Sequence, residues 1–165
     1  MRILIYFFFL FAIMELNASD KTNLKNNPLK NEAGDWRTLH ISLSESSGAV
    51  APEYRYTLDT YIEATKHGLF IFRKETKAGE SIVHTKKRIS EKTYEKISSK
   101  LIKLGIEKFG IEELPKERLL GVNYNTVEFH LGTKKSKFYY LFQDIDKSEF
   151  KTKKEIVTIM KGIKP

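Results

Sequence analysis

Along this chain apolar and polar residues alternate, break at turns and then recur at helical spacing, and the order of those patterns predicts the fold. Leu39, Ile41 and Leu43 alternate with Thr38, His40, Ser42 and Ser44, the period of a strand with one buried face. Ser46, Ser47, Gly48 and Pro52 then break the run. A second alternation sets Tyr54, Tyr56, Leu58, Thr60 and Ile62 against Arg55, Thr57, Asp59, Tyr61 and Glu63, which predicts a long half-buried strand. Lys66, His67 and Gly68 turn the chain into 69–73, and Lys77, Ala78 and Gly79 turn it again into 81–89, so the segment reads as an antiparallel meander.

The period then changes. Ser90 is a good N-cap with Glu91 in the first turn, Tyr94, Ile97, Leu101 and Leu104 recur at helical spacing, and Gly105 supplies the stop. Residues 106–122 carry no clear period, with a possible short helix over 109–114 broken by Pro115. Val127, Phe129 and Leu131 alternate with Thr126, Glu128 and His130, and the link Gly132, Thr133, Lys134, Lys135 leads into 137–142, a second hairpin. Ile156, Ile159, Met160 and Ile163 form one apolar stripe of a closing helix. Strands, helix, hairpin and helix in that order predict an α+β fold: an antiparallel sheet of about five to six strands with two main helices packed on one face.

The N-terminus changes the expected compartment. Arg2 precedes the unbroken apolar run 3–14, and the chain turns polar through Glu15, Asn17, Ser19, Asp20 and Lys21, which is signal-peptide order. The run falls short of the roughly 20 apolar residues a membrane-spanning helix needs, so the mature chain is expected to carry no transmembrane helix. Cleavage is expected after Ala18, although Leu16 suits a peptidase poorly. The division that follows is a signal peptide over 1–18, a flexible polar lead-in over 19–34 and a single globular domain over 35–165. The chain contains no cysteine, so no disulfide can staple it and no lipid-modified N-terminal cysteine can anchor it.

The export signal, the meander ending in KKRISEKTYEKISSKLIKLGIEKF and the later hairpin NTVEFHLGTKKSKFYYL together resemble small exported bacterial α+β domains of unknown function. These place an extended hairpin, an "IS" approach to a helix and then another hairpin. The resemblance covers about 36–163 and implies an envelope or secreted protein, periplasmic or extracellular, of unassigned role. It brings no catalytic residues with it.

Charge and candidate chemistry narrow the picture only a little. The formal charge of +8 is carried mostly by lysine, which favours anionic lipid or acidic glycan through long-range attraction, yet the chain is also rich in Asn, Ile and Phe, as compositional bias alone would make it. Asp144, Asp146, Ser148, Thr152 and Glu155 fall at calcium-loop spacing. Glu149 stands where that loop needs glycine, however, and lysines crowd it, so a solvated turn with Ser148 or Thr152 capping the last helix is expected instead. His40, His84 and His130 all fall on strands, and His40 and His130 share the polar side with Glu128, where imidazole and carboxylate could act as base and orienter if the strands were neighbours. Ser47 lacks a nucleophile elbow and no phosphate-cradling glycine loop is present. Lys134, Lys135 and Lys137 stand beside Phe138, Tyr139 and Tyr140, a combination that can meet anions and stack on rings; as plain structure, Phe138, Tyr140 and Phe142 would be core and the lysines would solubilise an edge.

No catalytic, cofactor or metal-binding residue is therefore assigned. The expectation is a non-enzymatic exported domain that binds a protein or anionic polymer partner, not a nucleic acid, through a surface that includes Tyr61, Lys134, Lys135, Lys137 and Tyr139. Its rivals are an envelope hydrolase using His40, Glu128 and His130, and a binder of anionic lipid or of cell-wall or host glycan driven by lysines.

Overall fold

Six strands follow the alternations: β1 Leu39–Ser46, β2 Tyr56–Thr65, β3 Gly68–Lys77, β4 Val83–Arg88, β5 Asn125–Leu131 and β6 Lys134–Tyr140. They are seen in a computed structural model that describes residues 27–117, 119 and 121–165, so the signal peptide expected over 1–18 and the first part of the lead-in lie outside the described residues. All six pair antiparallel in one sheet of order β4-β3-β2-β1-β5-β6. After the meander the chain leaves the sheet for helix α1, Glu91–Lys103, and returns beside β1 rather than β4. Helix α2, Lys151–Lys161, closes the chain. The fold is α+β, as the order of patterns predicts.

One face of the sheet is the core. The register sets Ile41 opposite both Ile62 and Phe129, and Leu43 opposite both Thr60 and Val127, with all of these side chains buried. Tyr94 and Leu101 from α1 and Ile156, Val157 and Met160 from α2 are buried with them. Each apolar side chain of this size contributes roughly 1.5–3 kcal/mol when fully buried, so this layer holds the domain together.

Local chemistry sets the ends. The Ser90 hydroxyl accepts from the Thr93 N–H at 3.2 Å, and Gly105, at φ 76°, ends α1 in a left-handed conformation that costs glycine little. Gly132, at φ 58°, is the first of the two residues between β5 and β6, where a primed hairpin turn needs positive φ.

Several expectations are corrected. Tyr54 belongs to a 3-10 turn, Pro52–Tyr54, and is 71 % exposed, because Pro52 sets the chain bending before β2 begins at Tyr56. No helix forms over 109–114. After a 3-10 turn, Ile106–Lys108, the chain lies along the outer edge of β6, where Lys137 N–H donates to the Gly110 carbonyl and Glu112 N–H donates to the Lys137 carbonyl. Lys134 and Lys135 are strand residues of β6, since the hairpin needs only Gly132 and Thr133 to turn. Phe142 is exposed, lying past the end of β6. Neither Ser148 nor Thr152 caps α2, whose first turn continues directly from the 3-10 turn Ser148–Phe150.

The chain divides at Trp36 into two units. In the first, Lys30 and Trp36 form an isolated antiparallel bridge with the Lys30 ammonium 4.4 Å from the indole centre, and Asp35 N–H donates to the Asn31 side chain.

Candidate functional site

Residues out of phase with the core line the second face of the sheet, which no helix among the described residues covers. Across it the pairings run Lys86, Phe72, Tyr61, Ser42, Glu128, Lys137 in one row and Arg88, Phe70, Glu63, His40, His130, Lys135 in the next. Antiparallel sheets with one solvated face ordinarily fill it with short polar side chains. Here rings meet across four strands. Tyr61 stacks on Phe72 at 4.6 Å between centres and 11° between planes, His40 lies 5.1 Å from Tyr61 on one side, and His84 lies edge-on to Phe72 at 5.2 Å on the other.

Charges frame this band. The Lys86 ammonium stands 4.8 Å from the Phe70 ring centre and 5.7 Å from that of Tyr61, while donating to Glu63 at 2.6 Å. The Glu63 bond holds the lysine above its ordinary pKa. Glu63 also lies 3.9 Å from His40. Partial burial lowers the pKa of His40, with the neighbouring His130 and Lys86 pushing the same way and Glu63 and Glu128 opposing.

The sequence-derived surface is divided by the register. Tyr61 sits within the ring band. Lys135, Lys137 and Tyr139 share its face but stand on β6, three strand spacings or about 14 Å away. Lys137 is bound to Glu128 at 2.7 Å. Lys134 points to the core side at the end of its strand and pairs with Glu107 at 3.0 Å. The histidines do meet in part: His40 and His130 are directly opposed and Glu128 is in the adjacent pair, but none of the three lines any of the cavities described below. Among the described residues no group of three or more His, Asp or Glu side chains is placed to hold a metal ion, and Asp144 and Asp146 are engaged by Lys147 and Lys154.

Two further constellations lie elsewhere. On the core face the Glu45 carboxylate is fully buried, accepting from the Tyr56 hydroxyl at 2.5 Å, from the Tyr140 hydroxyl and from the Lys161 ammonium at 2.7 Å. Burial and the carboxylate hold both phenols far above their ordinary pKa, so they stay protonated and donate to Glu45. Beyond the end of β6 a cleft of about 330 Å³ is lined by Tyr124, Tyr139, Phe150, Glu112, Asp144 and Lys153, among others. A shallow depression opens at the β2–β3 end of the sheet near Pro52 and Arg55, and an apolar groove between the helices is lined by Leu104 and Ile159 and rimmed by Lys100, Lys103 and Lys154.

Sequence reasoning missed Glu45, although a signal was present, since Glu45 is in phase with Leu39, Ile41 and Leu43. It also missed the ring band beyond Tyr61, because neither Phe72 nor His84 is remarkable until the register sets them side by side.

Compared with protein-family models and with curated proteins, the sequence matches none. No helix among the described residues is long and apolar enough to cross a membrane.

Proposed function

We propose that this chain is an exported, non-enzymatic binding domain of the cell envelope or secreted fraction, and that the open sheet face centred on Tyr61 and Phe72 is its working surface. The ring band carries this reading. Four aromatic side chains held in mutual contact on a solvated face gain little for folding compared with the core, but they offer a rigid apolar centre at low entropic cost, the kind of patch that anchors protein interfaces. Around it Lys74, Lys86, Arg88, Lys135 and Lys137 outnumber Asp59, Glu63 and Glu128, and all three carboxylates already accept from neighbours. The partner that fits is a protein surface with an apolar centre and an acidic rim. The export half of the reading rests on Arg2 and the apolar run 3–14.

A photo-crosslinking residue at Ser42, beside Tyr61, tests the surface in cells, with a second probe at Lys96 on the outer side of α1 as control. The expected result is a single protein adduct from Ser42 that disappears with Tyr61→Ala and is absent from Lys96. Adducts from Lys96 alone would discard the open face. Recovery of the protein from the envelope or medium with Ser19 as its first residue is the expected sign of export, and a cytoplasmic chain that keeps residues 1–18 would refute it.

A further inference from the structure

The cleft beyond β6 is built differently from the ring band. It is lined in part by Lys153, whose side chain is only 12 % exposed. The ammonium is held by Glu112 at 2.7 Å and by the Tyr139 carbonyl at 3.3 Å, with the rings of Phe138, Phe150 and Tyr139 at 5.3, 5.4 and 5.7 Å from it. Tyr124 stands edge-on to Tyr139 at 5.5 Å and forms one wall. Asp144 supplies a carboxylate on the other side and is itself bound by Lys147 at 2.6 Å. The volume of about 330 Å³ is at the lower end of the range for small-ligand sites, and the mixture of apolar surface with a few convergent polar groups is what such sites require.

Charge decides which ligand fits. Among the described residues an anion would face Glu112, Glu117 and Asp144 against Lys153 and the neighbouring Lys147, both of them already paired. A cation would find the Phe150 and Tyr139 rings engaged by Lys153 and would lie between two ammonium groups, Lys147 and Lys153. A neutral molecule rich in hydroxyls meets neither obstacle. Its O–H groups can donate to the second lone pairs of Glu112 and Asp144, and its C–H surface can pack on the tyrosine rings.

We infer that this cleft is a binding site for a neutral saccharide, free or as the end of a polymer. The site is separate from the ring band and does not depend on the reading proposed for it. Binding uses hydrogen bonds and ring contact rather than net charge, so it is indifferent to salt, in contrast to attraction by the surface lysines.

Calorimetric titration of the purified chain with four soluble probes tests this: cellotetraose and chitotetraose as neutral saccharides, tetragalacturonate as an anionic one and spermidine as a cation. At least one neutral tetrasaccharide is expected to bind with a Kd of about 1 mM or tighter, changing less than about twofold between low and high salt. Tyr124→Ala is expected to weaken it at least about tenfold, Tyr124→Phe to preserve it and Lys96→Ala, on the exposed side of α1, to leave it unchanged. Should Tyr124→Ala fail to fold by circular dichroism, Asp144→Ala, which disturbs no core side chain, is expected to weaken binding about fivefold. Co-sedimentation with insoluble cellulose or chitin then assigns a positive result to a polymer end or, if absent, to a free oligosaccharide. Binding of tetragalacturonate or spermidine alone, binding of none of the four, or neutral binding that survives both Tyr124→Ala and Asp144→Ala would overturn the inference.

Discussion

The two faces of this sheet are made by alternate residues of the same strands, and each sets a glutamate among tyrosine and lysine, yet the two arrangements do different things. On the core face Glu45 is sealed from water between Tyr56, Tyr140 and Lys161. On the open face Glu63 lies among His40, Tyr61 and Lys86, where water reaches His40 and Lys86. Similar chemistry is structural where the dielectric is low and adjustable where it is high, because a buried carboxylate that loses a partner cannot be rescued by solvent. The comparison teaches that in this fold contact across strands does not by itself identify function; the face on which it occurs does.

The sharpest way to break the comparison is to remove one ring from each face. Phe129→Ala empties a fully buried site opposite Ile41 on a central strand and is expected to cost about 3–5 kcal/mol. Phe72→Ala removes a ring that is only partly buried and is expected to cost about 1 kcal/mol. Urea unfolding of both variants measures the difference, and equal losses would mean that the open face is a second core.

Next in size is the buried carboxylate. Glu45→Ala strands two hydroxyls that burial already keeps protonated, with an expected cost of about 2–4 kcal/mol, whereas Lys161→Met, which leaves both tyrosine bonds in place and whose ammonium is partly in water, is expected to cost about 1 kcal/mol or less. A cost for Lys161→Met as large as that for Glu45→Ala would show that the ion pair, rather than the tyrosine hydroxyls, anchors α2 to the sheet.

The same network makes a prediction in alkali. Tyr56 and Tyr140 have folded pKa values raised by burial and by Glu45, and Tyr94 has one raised by burial. An unfolded tyrosine ionises near about 10, so their contribution to stability is complete below that pH and is lost as the pH rises beyond it. Of the eight tyrosines in the chain, these three are expected to show tyrosinate absorbance only as the protein unfolds. Reversible ionisation of Tyr56, Tyr94 and Tyr140 in the folded protein would contradict the buried assignment.

How much of this was legible in the sequence follows the same division. Alternation named the core strands, Ser90 and Gly105 bounded α1, and the hairpin over 125–140 was evident from its two strands and Gly132. What alternation cannot give is pairing. Nothing in the sequence says that β5 docks on β1 rather than on β4, and that docking alone sets His40 against His130 and moves Tyr139 away from Tyr61. The cleft was illegible for another reason: part of its lining comes from Glu112, Pro115, Glu117, Leu119 and Tyr124, in a stretch with no period, and its cation, Lys153, looks like any other lysine until Glu112 and four rings surround it. Glu45 was legible in principle, since its phase placed it inside and only its charge argued otherwise.

A smaller effect sharpens the open face itself. Tyr61→Ala removes the ring that joins His40 to Phe72 and is expected to cost about 1 kcal/mol in stability while abolishing the Ser42 adduct. A stable variant that retains the adduct would move the interaction off the band.

The smallest expected effect is titration of His40. Its folded pKa is lowered, first by burial and then by His130 and Lys86, against the pull of Glu63 and Glu128. The folded protein therefore takes up this proton less readily than the unfolded chain does. The stability that follows is fully present above the ordinary histidine value of 6.5 and is lost as the pH falls through it towards the folded value. Glu63→Gln removes the strongest opposing charge and is expected to lower the His40 pKa further, while Glu45→Gln, on the other face, is expected to leave it in place. Proton NMR of the histidine ring signals reads both shifts directly. A His40 pKa that rises on loss of Glu63 would contradict the assigned pull, and one that moves with Glu45→Gln would mean that the two faces are coupled through the sheet rather than separated by it.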